Sequence, residues 1–366
     1  MQRMTVLMGM PNKGLQGGPP GHLPFLVQGL EKLNINVIQT LYGSRTNVKT
    51  VSSRVSSVIE SIISLRKILL KNDVDIIHLN SAFDVNSLLR DFTTLFFLRP
   101  FKAKKFLKFH GSDAHLLQTK NWLYRLMIRK MSQWSDGFGL LSSEEKNNFI
   151  EADFPTKKLF VVKNIIKPNV YSKNTQFRHK YCSDDIPILL FIARLIPSKG
   201  LIDTLQAAIL LQKSGYIFKL IVLGDGPDKA RGEKMVKESN ISSIVFFEGY
   251  ITEESTKPFY ANCDLLIFPT YHFEGFSMVL FQSVAAGLGI ITTKIRAAAD
   301  YLKEPDNCLW VEPKNPEMLA DKIAFLLKNR DISRQMSNNN KALSKIFTED
   351  IICQEFTEIY ANLGNN

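Results

Sequence analysis

Leu265-Leu266-Ile267-Phe268-Pro269-Thr270-Tyr271-His272-Phe273-Glu274-Gly275-Phe276-Ser277-Met278-Val279-Leu280-Phe281-Gln282-Ser283-Val284-Ala285-Ala286-Gly287 is the most informative stretch of the sequence. An apolar run of strand length ends in a proline, and a loop then presents a carboxylate and a glycine. An apolar segment of helical length starts near Ser277 and reaches Gly287. A further apolar run, Gly289 to Thr293, follows at once. Strand, loop, helix and strand in this order make a βαβ unit with parallel strands, and its loop lies at the carboxyl end of the sheet, where open α/β sheets bind ligands. A helix that starts there offers backbone N–H groups to an anion.

The alternation continues outward on both sides. In the first half the candidate strands are Thr5 to Gly9, Asn36 to Leu41, Ile76 to Leu79, Phe106 to His110, Gly137 to Leu141 and Leu159 to Val162. In the second half they are Ile188 to Ala193, Phe218 to Leu223, Ile244 to Glu248, Leu265 to Pro269, Gly289 to Thr293 and Cys308 to Val311. Between the strands, Val55, Val58, Ile59, Ile62, Ile63, Leu69 and Leu70 recur at helical spacing and are expected to face a sheet. The polar segment 167–185 reads as a linker, and Asp350 to Leu363 as a terminal helix. The expected fold class is α/β, with two doubly wound units facing each other across a cleft. Residues 1–168 form the first unit, 169–347 the second, and 348–366 a helix that returns to the first.

A chain of 366 residues, 45% hydrophobic and 22% charged, supports two such cores and excludes bulk disorder. The stretch Met278 to Ile291 is interrupted by Gln282 and Ser283, so no apolar run suits a membrane span, and the start of the chain reads as a buried strand rather than a leader. The four cysteines show no Cys-x-x-Cys pair, so neither a zinc site nor a disulfide framework is signalled, and a reducing cytoplasm fits. Of the net charge of +11, all the excess lies in residues 1–168, where 24 Lys and Arg face 12 Asp and Glu. A one-sided basic field points to an anionic partner. No helix-turn-helix, RNP or zinc-finger pattern supports nucleic acid. The basic stretch Arg99 to Lys108 and the aromatic-cationic stretch Trp122 to Trp134 suit an acidic membrane surface; a core-facing helix with a solvated edge is the plainer reading.

Four further segments carry candidate chemistry. The Gly-rich run Gly14 to His22 follows the first strand, and its Gly17 and Gly18 let backbone approach a phosphate; it matches neither Gly-x-Gly-x-x-Gly nor Gly-x-x-x-x-Gly-Lys. His110-Gly111 ends a strand, which favours a ligand contact over a structural histidine. In Arg194-Leu195-Ile196-Pro197-Ser198-Lys199-Gly200 two cations five residues apart span a turn and converge on one diphosphate, unless both are solvated surface charges. Gly224-Asp225-Gly226 has no chemical role of its own. In the opening stretch a single loop and helix could grip a sugar hydroxyl with Glu274, a phosphate with the backbone N–H groups at the helix start, and another hydroxyl with Gln282.

In this order, these motifs resemble the retaining glycosyltransferases of family 4, enzymes of the GT-B architecture that use nucleotide-sugar donors. The resemblance covers nearly the whole chain. It implies that the first domain takes the acceptor and the second the donor. Arg194 and Lys199 would neutralise the departing diphosphate, Glu274 and His110 would hold the donor sugar, the N–H groups at Gly275, Phe276 and Ser277 would line the sugar and phosphate, and Gly17 and Gly18 would close over the phosphates. Gln282 stands where the family carries a second glutamate, and Arg296-Ala297-Ala298-Ala299-Asp300 where it carries a Gly-Gly before an acid. The implied donor is a UDP- or GDP-sugar, UDP preferred. The implied acceptor is a glycan, free or carried on polyprenyl diphosphate, at the inner face of the cytoplasmic membrane in capsule, O-antigen or lipopolysaccharide synthesis. No metal or other cofactor is expected. The rival class is a non-catalytic nucleotide-sugar or polyanion-binding module on the same fold.

Overall fold

A computed structural model of the protein describes residues 3–12, 18–43, 50–167, 171, 174–181 and 186–364. Among them, contacts divide the chain into two units: residues up to Ile165 together with 273–276 and the chain from Glu349 on, and residues 166–272 with 277–348. The loop 273–276, which the sequence places in the second domain, groups with the first unit.

In the first unit β1 (Thr5–Met10), β2 (Asn36–Leu41), β3 (Ile76–Phe83), β4 (Lys104–Ser112), β5 (Gly137–Leu140) and β6 (Leu159–Val161) form a parallel sheet in the order β2-β1-β3-β4-β5-β6. Val6, Leu7 and Met8 are all buried, as expected of a strand covered by helices on both faces. Phe83, Phe109, Phe138 and Phe149 stack at one end of this core, with ring centroids 5.0 to 6.4 Å apart.

In the second unit β7 (Ile188–Ile192), β8 (Lys219–Leu223), β9 (Val245–Gly249), β10 (Leu265–Phe268), β11 (Gly289–Thr292) and β12 (Leu309–Trp310) form another parallel sheet, in the order β12-β11-β10-β7-β8-β9. The chain winds outward from β7 through β9, then restarts beside β7 with β10. The order therefore reverses between β7 and β10, and the crevice outside their carboxyl ends is the topological switch point.

The terminal helix Glu349–Gly364 belongs to the first unit. Its Cys353, Phe356 and Tyr360 are buried, Tyr360 hydroxyl meets His78 Nδ1 at 2.5 Å, and Glu349 pairs with Lys32 at 2.6 Å. It lies so close to the helix Gly18–Lys32 that a Cβ on Gly29 would stand 2.3 Å from Cys353 Sγ.

Three expectations change. The segment read as a linker contains the helix Thr175–His179, and Arg178 binds Asn262 carbonyl and Asp264. In the helix Val51–Lys71, Ile62, Leu65 and Leu69 face the core, but Val55, Ile59, Ile63 and Leu70 are exposed. More apolar residues lie on this helix than one core-facing stripe accommodates. In Arg99 to Lys108 the strand pattern wins over the surface reading, because Lys105, Phe106, Leu107 and Lys108 are buried in β4.

An Ala in place of a mid-helix Gly ordinarily stabilises, by about 1 kcal/mol. For Gly29→Ala we expect the opposite, a loss of about 1–3 kcal/mol through overpacking, measured by denaturant unfolding, with faster amide exchange in 349–364. Unchanged or increased stability would contradict this helix contact.

Candidate functional site

The loop after β7 is moulded by the Gly-Asp-Gly turn beneath it. Gly224 has φ of +134°, and a Cβ there would stand 1.8 Å from Ala193 carbonyl oxygen. At Gly226, φ +152°, a Cβ would stand 2.5 Å from Leu195 oxygen. Only glycine allows this approach, and Leu195 N–H then donates to Asp225 carbonyl at 2.9 Å. The turn thus has a shaping role. A short 3-10 turn, Pro197–Lys199, leads to Gly200, φ +78°, which precedes the helix Leu201–Lys213.

This geometry brings Lys199 into the interior while Arg194 stays exposed beside it. Lys199 is only 4% exposed, with its ammonium 6.0 Å from the Phe268 ring centroid of β10. Burial, followed by the neighbouring Arg194, lowers the Lys199 pKa to about 7. Among the described residues the Arg194 guanidinium has no hydrogen-bond or ion-pair partner.

The loop after β10 is stitched to the same turn. Tyr271 N–H donates to Ser198 carbonyl at 2.9 Å, Tyr271 hydroxyl to Pro197 carbonyl at 2.7 Å, and Ser198 Oγ meets His272 Nδ1 at 3.0 Å. Burial, Lys199 and Arg194 hold His272 down to about 4. Two basic side chains and an imidazole kept neutral chiefly by burial therefore share one place at the switch point. His272 was quoted in the sequence but given no role, because its partner lies 74 positions away.

Further along, Ser277 caps the helix Met278–Ala286, with Leu280 N–H donating to its Oγ at 3.5 Å. Gln282 donates to the Glu253 carboxylate at 3.1 Å, and burial raises the Glu253 pKa. Glu253 carries no signal in the sequence, since it sits in a charged loop 29 residues earlier. Glu274 is half-buried. Gly275 and Phe276 are buried, and a Cβ on Gly275 would meet Leu141 Cδ1 at 2.9 Å.

In the first unit, Gly17 lies outside the described residues and Gly18 opens the helix Gly18–Lys32. His110, near the end of β4, meets Asn80 Oδ1 through Nε2 at 2.9 Å. The Asn80 amide nitrogen is committed to Gly9 carbonyl at 3.0 Å, so its oxygen faces His110, which assigns the proton to Nε2. Nδ1 is then an acceptor, and it is a buried atom with no partner among the described residues. Burial, with Lys108, His22 and His78 nearby, keeps His110 well below its ordinary pKa and so neutral.

Behind it Lys108, fully buried, meets His22 Nε2 at 3.0 Å and donates to Asn164 Oδ1 at 2.9 Å, and burial lowers its pKa to about 7. The His22 and His110 rings meet edge-on at 5.3 Å. Lys108 falls within the candidate strand Phe106 to His110 but has no role in the sequence reading. It lies two positions before His110 on the same strand face, which is the signal that could have placed it.

Residues 172–343 match the sequence profile described as Glycosyl transferases group 1. Most of the second unit is therefore similar to this family. Over 304 residues the chain is 26% identical to an uncharacterized glycosyltransferase of Methanocaldococcus jannaschii, covering 82% of this chain and 79% of that protein. It is 25% identical over 183 residues to an N,N'-diacetylbacillosaminyl-diphospho-undecaprenol alpha-1,3-N-acetylgalactosaminyltransferase of Campylobacter jejuni, covering 50% of this chain and 46% of that one. Among solved structures, Anabaena HepE in complex with UDP and glucose superimposes with a TM-score of 0.74 at 15% identity, over 98% of this chain and 100% of that one. The chain therefore has the GT-B fold, and over 186 residues, 50% of this chain and 47% of the other, it is 25% identical to a capsular polysaccharide biosynthesis glycosyltransferase of Staphylococcus aureus.

A lysine with a pKa near 7 is largely neutral at pH 8 and regains its proton beside an anion. Calorimetry of UDP binding at pH 8, in buffers of different ionisation enthalpy, is expected to show uptake approaching one proton per site, and none in Lys199→Met. Wild-type binding without proton uptake would separate Lys199 from the phosphates.

Proposed function

We propose that this glycosyltransferase is a retaining hexosyltransferase that moves a sugar from a nucleotide-sugar donor, UDP-linked in preference to GDP-linked, to a glycan acceptor carried on polyprenyl diphosphate. The observation that carries this reading is the buried Lys199 beside the exposed Arg194, on a loop at the switch point of the second sheet. An ammonium and a guanidinium side by side on one loop can both bind an anion that carries two or more charges, and a diphosphate is such an anion.

As the bond between the anomeric carbon and the diphosphate oxygen stretches, negative charge builds on the leaving group, and the fixed cations stabilise that charge more than the ground state. In this reading residues 169–347 hold the donor and residues 1–168 the acceptor. Ser277 and the N–H groups at Gly275 and Phe276 line the sugar and phosphates, and Glu274 takes hydroxyls of the donor sugar. Neutral His110 accepts a hydroxyl hydrogen bond at Nδ1. Gln282, oriented by Glu253, meets the ribose, so that Glu253 supplies the carboxylate missing at position 282. Gly17 and Gly18 close over the diphosphate. The cations and the helix N-terminus provide positive potential at the leaving group, so the transfer is proposed to run without a metal or other cofactor.

The alpha linkage named for the Campylobacter relative supports retention, and its diphospho-undecaprenol acceptor together with the basic first half supports a lipid-linked acceptor. In this reading the enzyme works peripherally at the inner face of the cytoplasmic membrane, in capsule, O-antigen or lipopolysaccharide synthesis.

Arg194→Ala, Lys199→Ala and Glu274→Ala are each expected to lower kcat by about 10²–10³-fold, the loss typical of removing one group that stabilises developing charge, with unfolding midpoints retained. Transfer from a panel of UDP- and GDP-sugars gives the rates, and NMR of the product gives the anomeric configuration. Wild-type turnover in both cation variants, or no transfer or donor hydrolysis by the wild-type protein, would favour the non-catalytic binding module; an inverted product would remove the retaining assignment.

A further inference from the structure

Most large apolar side chains left exposed in the first unit lie on three helices, Val51–Lys71, Val85–Leu98 and Trp122–Trp134. Their inner sides share one core, contributing Leu65 and Leu69, Leu88 and Leu95, and Met127 and Met131 respectively. The helices are neighbours in one layer. Arg66 donates to Phe97 carbonyl at 2.7 Å across the first pair, and the Arg99 guanidinium lies 4.1 Å from the Phe96 ring centroid and 4.8 Å from that of Trp134 across the second.

The outer side of this layer is apolar where a solvated helix should be polar. On the first helix Val55, Ile59 and Ile63, spaced four apart, face outward, with Val55 54% exposed. On the second, Leu89 is 62% exposed and Phe96 and Phe97 flank its end. On the third, Trp122 is 73% exposed, with Leu123 and Leu126 beside it. On or at the ends of the same helices Lys67, Arg99, Arg125 and Arg129 are exposed, and Arg99 lies against the Phe96 and Trp134 rings. The acids on the three helices are Glu60 and Asp91, and Asp91 is fully buried and bound to Tyr42 and Arg90.

We propose that this outer face docks on the surface of an anionic lipid bilayer. Apolar and aromatic side chains interleaved with cations, and almost free of acid, complement a leaflet whose surface is negative and whose acyl region begins just below it. A second copy of the chain fits poorly, because pairing this face with itself sets two positive surfaces against each other. The three helices are amphipathic in the reverse of the usual sense: their inner stripe is filled by the core, and their outer stripe is apolar as well, so burying the outer stripe gains what solvent exposure forfeits. A lone exposed Trp122 would need no explanation, but a continuous apolar layer over three helices does. The proposal deepens the peripheral membrane reading by naming the face that docks, and its test does not require the transfer reaction.

Flotation of the full chain with vesicles tests it. With vesicles of equal parts phosphatidylcholine and phosphatidylglycerol the protein is expected to float, with partial release at high salt and a blue shift of tryptophan emission that Trp122→Phe diminishes. With phosphatidylcholine alone, recovery should fall at least tenfold. The triple variant Ile59→Gln, Leu89→Gln, Phe97→Gln should lose binding to the mixed vesicles at least tenfold while keeping its melting curve and its affinity for UDP. Equal binding to both vesicle types, triple-variant binding at the wild-type level, or no binding of the wild type at low salt would overturn the proposal. So would a wild-type dimer in light scattering that the triple variant abolishes, since the face would then belong to a second copy.

Discussion

The chemistry of the second unit depends on the burial of one ammonium group beside a guanidinium. Desolvation and the Arg194 charge both oppose the protonated form of Lys199, and burial, with these two side chains beside it, keeps His272 neutral. A fold retains such a group at a cost to stability unless it serves binding, because an apolar side chain of similar volume would pack there with no desolvation penalty. An arriving diphosphate reverses the balance: it restores the proton to Lys199 and gives the exposed guanidinium a partner.

The backbone makes this arrangement available. Reversal of strand order between β7 and β10 brings two loops together at one crevice, and the Gly-Asp-Gly turn lets the first of them lie flat on its neighbour. Bonds from Tyr271 to Ser198 and Pro197 then join the two loops, so Lys199 is positioned by elements far apart in sequence. The first unit repeats the principle with different chemistry. The Asn80 amide, fixed by Gly9, decides which His110 nitrogen carries the proton, and the buried Lys108 and His22 stand behind it. Both units thus hold a lysine near pKa 7 in a dry setting, though only Lys199 adjoins a second cation.

Much of this was legible in the sequence. Each of the candidate strands is present to within a few residues, because continuous apolar runs bounded by Gly, Pro or polar clusters are what a parallel sheet buried on both faces requires. Arg194 and Lys199 lie together on one loop, as their spacing implies, because a local turn sets that spacing. His272, Glu253 and Asn80 were not, because their roles come from partners many residues away, which no periodicity records. The helix Val51–Lys71 shows a different limit: its apolar residues identify a helix, but with two apolar stripes the pattern does not say which one the core takes. The basic run ending at Lys108 reads as surface by composition and as strand by pattern, and the pattern prevailed since β4 is central to its sheet.

The most direct test of the account is a crystal structure of the full chain grown with UDP. The account places the diphosphate on the loop after β7, with Lys199 Nζ and the Arg194 guanidinium both within hydrogen-bond distance of its oxygens. Density for UDP elsewhere, with Lys199 buried and no phosphate oxygen near either cation, would contradict it.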